Sequence, residues 1–191
     1  MCMDDTGFEF CEVDESRWRD LATLFDGRGG PKNCWCMVWR KKPAGLRDLD
    51  TAGRKAALKG ALQACVEQGT PIGILGYHAG VPVAWCSIAP RPTYRPLGGL
   101  DNPGDDPDTV WSLVCFFLKR AYRGQGMADA LLAAAVAHAR QHRAKVIEAY
   151  PVDPDSPSYR FMGFIGMFER AGFTKVGRAG TRRHIMRLTL P

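Results

Sequence analysis

The most constraining stretch of the chain is 110–139, VWSLVCFFLKRAYRGQGMADALLAAAVAHA. An apolar run ends at Leu118, a basic turn with two glycines follows, and an alanine- and leucine-rich segment with helical spacing comes next. That order is strand, turn, helix. A helix start leaves its first backbone N–H groups without intrahelical partners, and its dipole favours an anion there. Gly124 and Gly126 let backbone approach a bulky anion or take positive φ, while Lys119, Arg120 and Arg123 add positive charge. The expected guest is a phosphate or pyrophosphate; the same letters also suit a plain surface turn. The spacing is neither a Walker loop nor GxGxxG.

The remaining segments frame that unit within 191 residues, enough for one domain with a sizeable core. Residues 8–13 read as a strand. Asp14 is placed to cap a helix from Glu15, whose apolar face is Trp18, Leu21, Leu24 and Phe25. The segment 34–40, CWCMVWR, reads either as the lining of an acceptor pocket or as core filler. A helix capped by Asp50 or Thr51 runs to about Glu67, and strands at 71–77 and 81–88 form a hairpin around His78, Ala79 and Gly80. The loop 89–109 is rich in proline and glycine and carries Asp101, Asp105, Asp106 and Asp108. It reads as a lid that attracts a cationic amine or as a solvated surface loop. A strand at 145–152, a short helix at 165–171 and a hairpin from 173–176 and 184–190 complete the chain. The strand puts Val146 and Glu148 on one face, Ile147 and Ala149 on the other. Helices around a mixed sheet, an α/β fold, follow from this order.

Composition removes several classes of function. No apolar stretch approaches the roughly 20 residues of a membrane span. Asp4, Asp5 and Glu9 are unlike a signal peptide, so a cytoplasmic protein with no membrane partner is the expectation. Seven cysteines are scattered, and Cys34-Trp35-Cys36 has no second pair or nearby histidine, so no metal is expected. The formal charge of +6 is dispersed, without an aromatic-interleaved basic module, so no nucleic-acid partner is expected.

Two motifs carry a resemblance. Arg123-Gly124-Gln125-Gly126-Met127-Ala128 matches the R/Q-x-x-G-x-G/A signature of the GCN5-related N-acetyltransferases, with Ala in the last place. Downstream, MFERAGF at 167–173 is similar to that family's FYEKLGF segment. The resemblance covers the second half of the chain. It implies a single acetyltransferase domain over 1–191, with acceptor-side elements in 1–109 and the acetyl-CoA-binding part in 110–191. The segments CWCMxWR and EAYPVD also resemble a group of bacterial acetyltransferase-like proteins.

The resemblance further implies acetyl-CoA bound in a splay between the fourth and fifth strands of a mixed sheet. Its pyrophosphate would rest on the amides of Arg123, Gly124, Gln125, Gly126, Met127 and Ala128. Its pantetheine arm would run beside Phe116, Phe117 and Leu118, near Phe168. The Phe116 amide would be the oxyanion donor, and the acetyl group would pass directly to a primary amine. Two departures from the family pattern stand out. Ser112 occupies the place of the histone-type glutamate, so the proton acceptor is sought in Glu148, in an aspartate of the loop, or in His78 or His184. Phe168 replaces the usual tyrosine, so the hydroxyl beside the leaving sulfur is sought in Tyr159 or Tyr150. Ser112, Trp111, Trp85, the Trp35 region and the proline-rich loop are the expected acceptor wall. A small-molecule amine is the expected acceptor and a protein amine the other. A homodimer is compatible with the resemblance. The competing function is a catalytically weak CoA-binding sensor or structural protein.

Overall fold

The computed structural model describes residues 2–3, 7–40, 44–102 and 105–191. Asp4 and Asp5 of the acidic N-terminus, and Pro103 and Gly104 of the long loop, lie outside them. The elements are β1 (Cys2–Met3), β2 (Phe8–Glu12), α1 (Trp18–Asp26), α2 (Thr51–Glu67), β3 (Ile74–His78), β4 (Val81–Pro90), β5 (Val110–Leu118), α3 (Met127–Gln141), β6 (Val146–Ala149), α4 (Ile165–Arg170), β7 (Thr174–Ala179) and β8 (Arg183–Thr189). Among the described residues no helix is long and apolar enough to cross a membrane.

Local chemistry explains the boundaries. The Asp14 carboxylate accepts from Arg17 N at 3.1 Å, so the predicted helix begins as a 3-10 turn, Glu15–Arg17, before α1. Asp50 caps α2 by accepting from Gly53 N at 2.7 Å. The hairpin β3–β4 is as expected, except that its first strand starts at Ile74. The strand predicted over 145–152 is regular only over Val146–Ala149, with isolated bridges at Val152.

The strands form one sheet in the order β1-β2-β3-β4-β5-β6-β8-β7. Among the described strands only β5 and β6 pair in parallel, and α3 is the crossover that such a pair requires. On one face, Leu113, Ile147 and Met186 pack against Leu131, Leu132 and Ala135 of α3 and Phe168 of α4. On the other, Leu75 and Trp85 pack against Leu21 and Phe25 of α1 and Leu62 of α2, with Trp35 among them. A third cluster joins Trp39, Tyr94, Val114, Tyr150 and Ile185.

Two irregularities shape the centre of the sheet. Ser87 faces Cys115 while Ile88 faces Leu113, so β5 has one extra residue, Val114. And β6 pairs with β5 only from Val110 to Leu113. Beyond Leu113, β5 continues along β4 alone, and the sheet is splayed on its other side.

His138 on α3 is buried. Burial, reinforced by the neighbouring His142, lowers its pKa to about 4. Glu12 is the carboxylate nearby, its Oε2 4.0 Å from His138 Nδ1. A histidine with a folded pKa below its unfolded value of about 6.5 stabilises the fold above that value and loses this contribution as pH falls toward 4. The expected loss is about 3 kcal/mol across the window, from about 1.4 kcal/mol per unit. Urea unfolding of wild type and His138→Leu from pH 7 to 4, in chelator, measures it. Equal slopes in the two proteins would remove the assignment.

Candidate active site at the splayed strand pair

The basic turn follows β5 directly. A 3-10 turn, Arg120–Tyr122, leads to Gly124 at φ +76° and Gly126 at φ +77°, and Gly126 is the N-cap of α3. No side chain caps this helix start. Gln125 instead donates to Ala121 O at 2.9 Å, and Arg123 Nε donates to Leu118 O at 3.1 Å. Asp129 in the first turn is tied to Arg170 at 2.8 Å. A Cβ at either glycine would meet nothing within 4 Å, so the space beside the amides is open. Met127 is buried and Ala128 half-buried, which anchors the helix start on the sheet.

The edge of β5 opens into the splay. Lys119 N donates to Val83 O at 2.9 Å, so main-chain groups at 119 and, by alternation, 117 face β4. Those of Leu118 and Phe116 face the opposite way, where β6 has already ended. Arg123 reaching Leu118 O marks that side. Phe116, Phe117 and Leu118 are all half-buried. The Phe116 ring lies 6.1 Å from Phe168, which is fully buried and edge-on to Phe173 at 5.2 Å.

Below the splay lies a buried polar network. Ser112 Oγ and Tyr150 Oη are 3.2 Å apart, and Tyr150 donates to Glu148 Oε2 at 2.8 Å. Glu148 is wholly buried. Its Oε1 accepts from Leu100 N at 3.1 Å and Arg187 Nε at 2.8 Å, and its Oε2 also meets Arg91 Nη1 at 3.4 Å. Both oxygens are therefore committed. Burial first, and then the Glu148 charge, push the Tyr150 hydroxyl well above its usual pKa and keep it protonated. Gly99 lies against the same carboxylate: a Cβ there would come 2.1 Å from Glu148 Oε2. The long loop is thus bolted to the sheet. Asp105 pairs with Arg187 at 2.8 Å and is largely covered, while Asp101 pairs with Arg91 at 2.9 Å with its side chain in solvent.

Tyr159 stands apart from this network. It holds φ +59°, and among the described residues its hydroxyl makes no hydrogen bond. Its ring lies 6.1 Å from Trp39 and 5.5 Å from the Arg183 guanidinium. His184 is buried against Asp153 at 3.0 Å, and the exposed His78 ring lies 5.5 Å from Phe8; neither sits with Ser112.

The expected acceptor wall is redrawn. Trp35 and Trp85 are core residues under α1 and α2, with Trp85 Nε1 donating to Cys36 Sγ at 3.0 Å. Trp111 faces α3 and packs on His138 at 5.5 Å. Side-chain alternation accounts for the difference, since Trp111 and Leu113 share the α3 face while Ser112 and Val114 share the other. Trp39 is the tryptophan of the 34–40 segment that borders the third cluster. Arg91, Arg95, Arg183, Arg187 and Gly99 were not foreseen. They lie in loops or among alternating strand residues, and only the unusual count of arginines near 178–187 hinted at them.

Among the described residues one group of metal-ligand type, Glu12, His138 and His142, brings its ligand atoms within 4.8 Å of one another. The histidines are spaced i, i+4 on α3, a signal present in the sequence. His138 is roughly 18 Å along the helix from the glycine turn, given 1.5 Å per residue. His142 Nε2 is hydrogen-bonded to Glu12 Oε2 at 3.2 Å.

The fold aligns with solved acetyltransferases over nearly its whole length. The ribosomal-protein-alanine N-acetyltransferase of Brucella melitensis is 18% identical, with 95% of this chain and 99% of that one covered and a TM-score of 0.55. YncA of Salmonella typhimurium, solved with its cofactor acetyl-CoA, is 16% identical, with 97% and 95% covered and a TM-score of 0.56. The PaiA N-acetyltransferase of Thermoplasma acidophilum, in complex with coenzyme A, is 11% identical, with 96% and 99% covered and a TM-score of 0.56. Comparison with curated proteins finds no match. The model of the Acetyltransferase (GNAT) family matches residues 14–173. With its glycine turn at the start of α3 and its sheet splayed beside β5, the chain belongs to the GNAT acetyltransferase family.

Proposed function

We propose that the protein transfers the acetyl group of acetyl-CoA directly to a primary amine, in the first instance that of a small molecule. The observation that carries this reading is the uncapped start of α3, with Gly124 and Gly126 at positive φ, set beside the free edge of β5. The amides of Arg123 to Ala128 suit a pyrophosphate. The edge at Phe116, Phe117 and Leu118 suits the amide-bearing arm of the cofactor, and Phe168 closes the apolar side. The free thiols Cys11, Cys34, Cys36, Cys65, Cys86 and Cys115 suit a reducing, cytoplasmic setting.

In this reading the amine nitrogen attacks the thioester carbon, and the Phe116 N–H donates to the oxygen that gains charge. The C–S bond then breaks, giving an N-acetyl product and the CoA thiol. Tyr159, with a hydroxyl not otherwise engaged, gives its proton to the departing sulfur; the attacking nitrogen releases one to solvent water, from which Tyr159 is reprotonated. Ser112 orients the amine and accepts its hydrogen bond. Glu148 acts as a positioning residue, because its oxygens hold Tyr150, Arg187 and Arg91. Tyr150 keeps Ser112 in place.

Tyr159→Phe tests the proton donor. The expected result is a fall in kcat of about 100-fold, within the usual range for general acid catalysis, with the acetyl-CoA Kd unchanged. An unchanged kcat in a thiol-release assay would remove Tyr159 from the reaction, and so would a loss that follows cofactor affinity alone.

A further inference from the structure

Two guanidiniums lie against the Trp39 ring, Arg183 at 4.5 Å from its centroid and Arg95 at 4.7 Å. Arg183 also lies 5.5 Å from the Tyr159 ring and 6.0 Å from Tyr150. Among the described residues neither arginine has a carboxylate within 4.0 Å. Asp153 pairs with His184, Asp101 with Arg91 and Asp105 with Arg187. Two donors in the cluster are buried without any partner, Arg183 Nη1 and Trp39 Nε1. Burial lowers the Arg183 pKa, Tyr159 and Tyr150 oppose that shift, and the charge of Arg95 adds to it.

Arg183 is half-buried and Arg95 exposed, and a buried donor without a partner, as Arg183 Nη1 is, leaves a hydrogen bond unmade. Paired cations left open beside aromatic walls are the complement of an anion. A cavity of about 230 Å³ opens here, lined by Tyr159, Gly180, Thr181, Arg182 and Arg183. Beside it, Arg183 lies against the Tyr150 ring, and Tyr150 belongs to the same buried cluster as Val114 of β5. A ligand held by Arg183 therefore lies on the side of the sheet where Tyr150 meets Ser112, the residue proposed to orient the amine.

We propose that Arg183, Arg95 and the Trp39 indole bind a carboxylate of the acceptor, which makes the acceptor an amino acid or another amino carboxylate. This rests on the acetyltransferase reading above and deepens it. A guanidinium fork and an indole N–H are directional donors suited to a planar carboxylate. The same positive field acts on the other end of the molecule. It disfavours the ammonium and favours the neutral amine, the form that attacks. A fold whose buried Glu148 is fully engaged thereby gains a way to supply the nucleophile without a free carboxylate base.

The test uses the CoA-loaded protein and titrates it calorimetrically with N-acetyl-L-amino acids, the products of such a reaction, and with their carboxamides. The panel spans small, aliphatic, aromatic and acidic side chains. The expected result is that the best carboxylate binds at least 10-fold tighter than its carboxamide. Arg183→Gln and Arg95→Gln should each erase that difference while leaving the Kd of CoA unchanged; Arg95 is exposed, so its variant retains the fold. Equal binding of acid and amide, a difference that survives both variants, or no binding of any panel member to protein that does bind CoA would each overturn the proposal and leave the donor reading standing. Failure to bind CoA would instead remove the acetyltransferase reading itself and, with it, the acceptor.

Discussion

Replacing Gly124 and Gly126 together by glutamate is expected to weaken acetyl-CoA binding at least 100-fold. Both positions lie at positive φ beside open space, so the new side chains meet no packed neighbour. Backbone strain costs each roughly 1–2 kcal/mol. The larger effect is electrostatic, because two carboxylates would stand where the start of α3 presents unpaired N–H groups to an anion. A hundredfold loss corresponds to about 2.7 kcal/mol. The double alanine variant carries the strain without the charge and should lose much less. Calorimetry on the three proteins, with circular dichroism to check folding, separates the terms. Binding in the double glutamate variant within threefold of wild type would place the pyrophosphate elsewhere.

Glu148→Gln is expected to cost about 3–5 kcal/mol of stability, the usual penalty for removing one partner from a buried ion pair. The carboxylate is the common acceptor of Arg187, Arg91, Tyr150 and the Leu100 amide. A carboxamide has one acceptor oxygen, and its NH₂ would point at donors. Against a typical total of about 5–15 kcal/mol, such a loss is easily read by urea denaturation. Asp105→Asn, at the rim of the same network with a partly exposed side chain, should cost about 1 kcal/mol or less. If the two variants are equally mild, Glu148 is not what holds the network together, and its carboxylate becomes available for a proton-transfer role.

The parts of this architecture with short-range signals were legible in the sequence. Asp50 as a cap, the β3–β4 hairpin, the faces of α1 and the glycine turn each depend on residues within a few positions of one another. The bulge at Val114 was not legible, because one extra residue in the run VWSLVCFF leaves no mark on its apolar character. Trp111 lies ahead of the bulge, and simple alternation sets it opposite Ser112, so the fold turns it toward α3. The acids of the 89–109 loop looked free for a ligand because the partner of Asp105, Arg187, lies 82 residues away. Glu148 was singled out for its place on a strand beside Ser112. Its two guanidinium partners come from other strands and loops, and no local pattern announced them. The family motif carried the cofactor side, whereas the acceptor side depends on arginines brought together only by the fold.

The splay raises a mechanical question that the ion network answers. Only four residues of β5 pair with β6, so main-chain bonding alone joins the two halves of the sheet along a short seam. Arg91 follows β4 on one half, while Glu148 and Arg187 belong to the other. Their contact spans the seam, and Leu100 and Asp105 are drawn into it from both sides. A wedge can stand open in the middle of the sheet because charge, not backbone pairing, acts as the rivet at its apex.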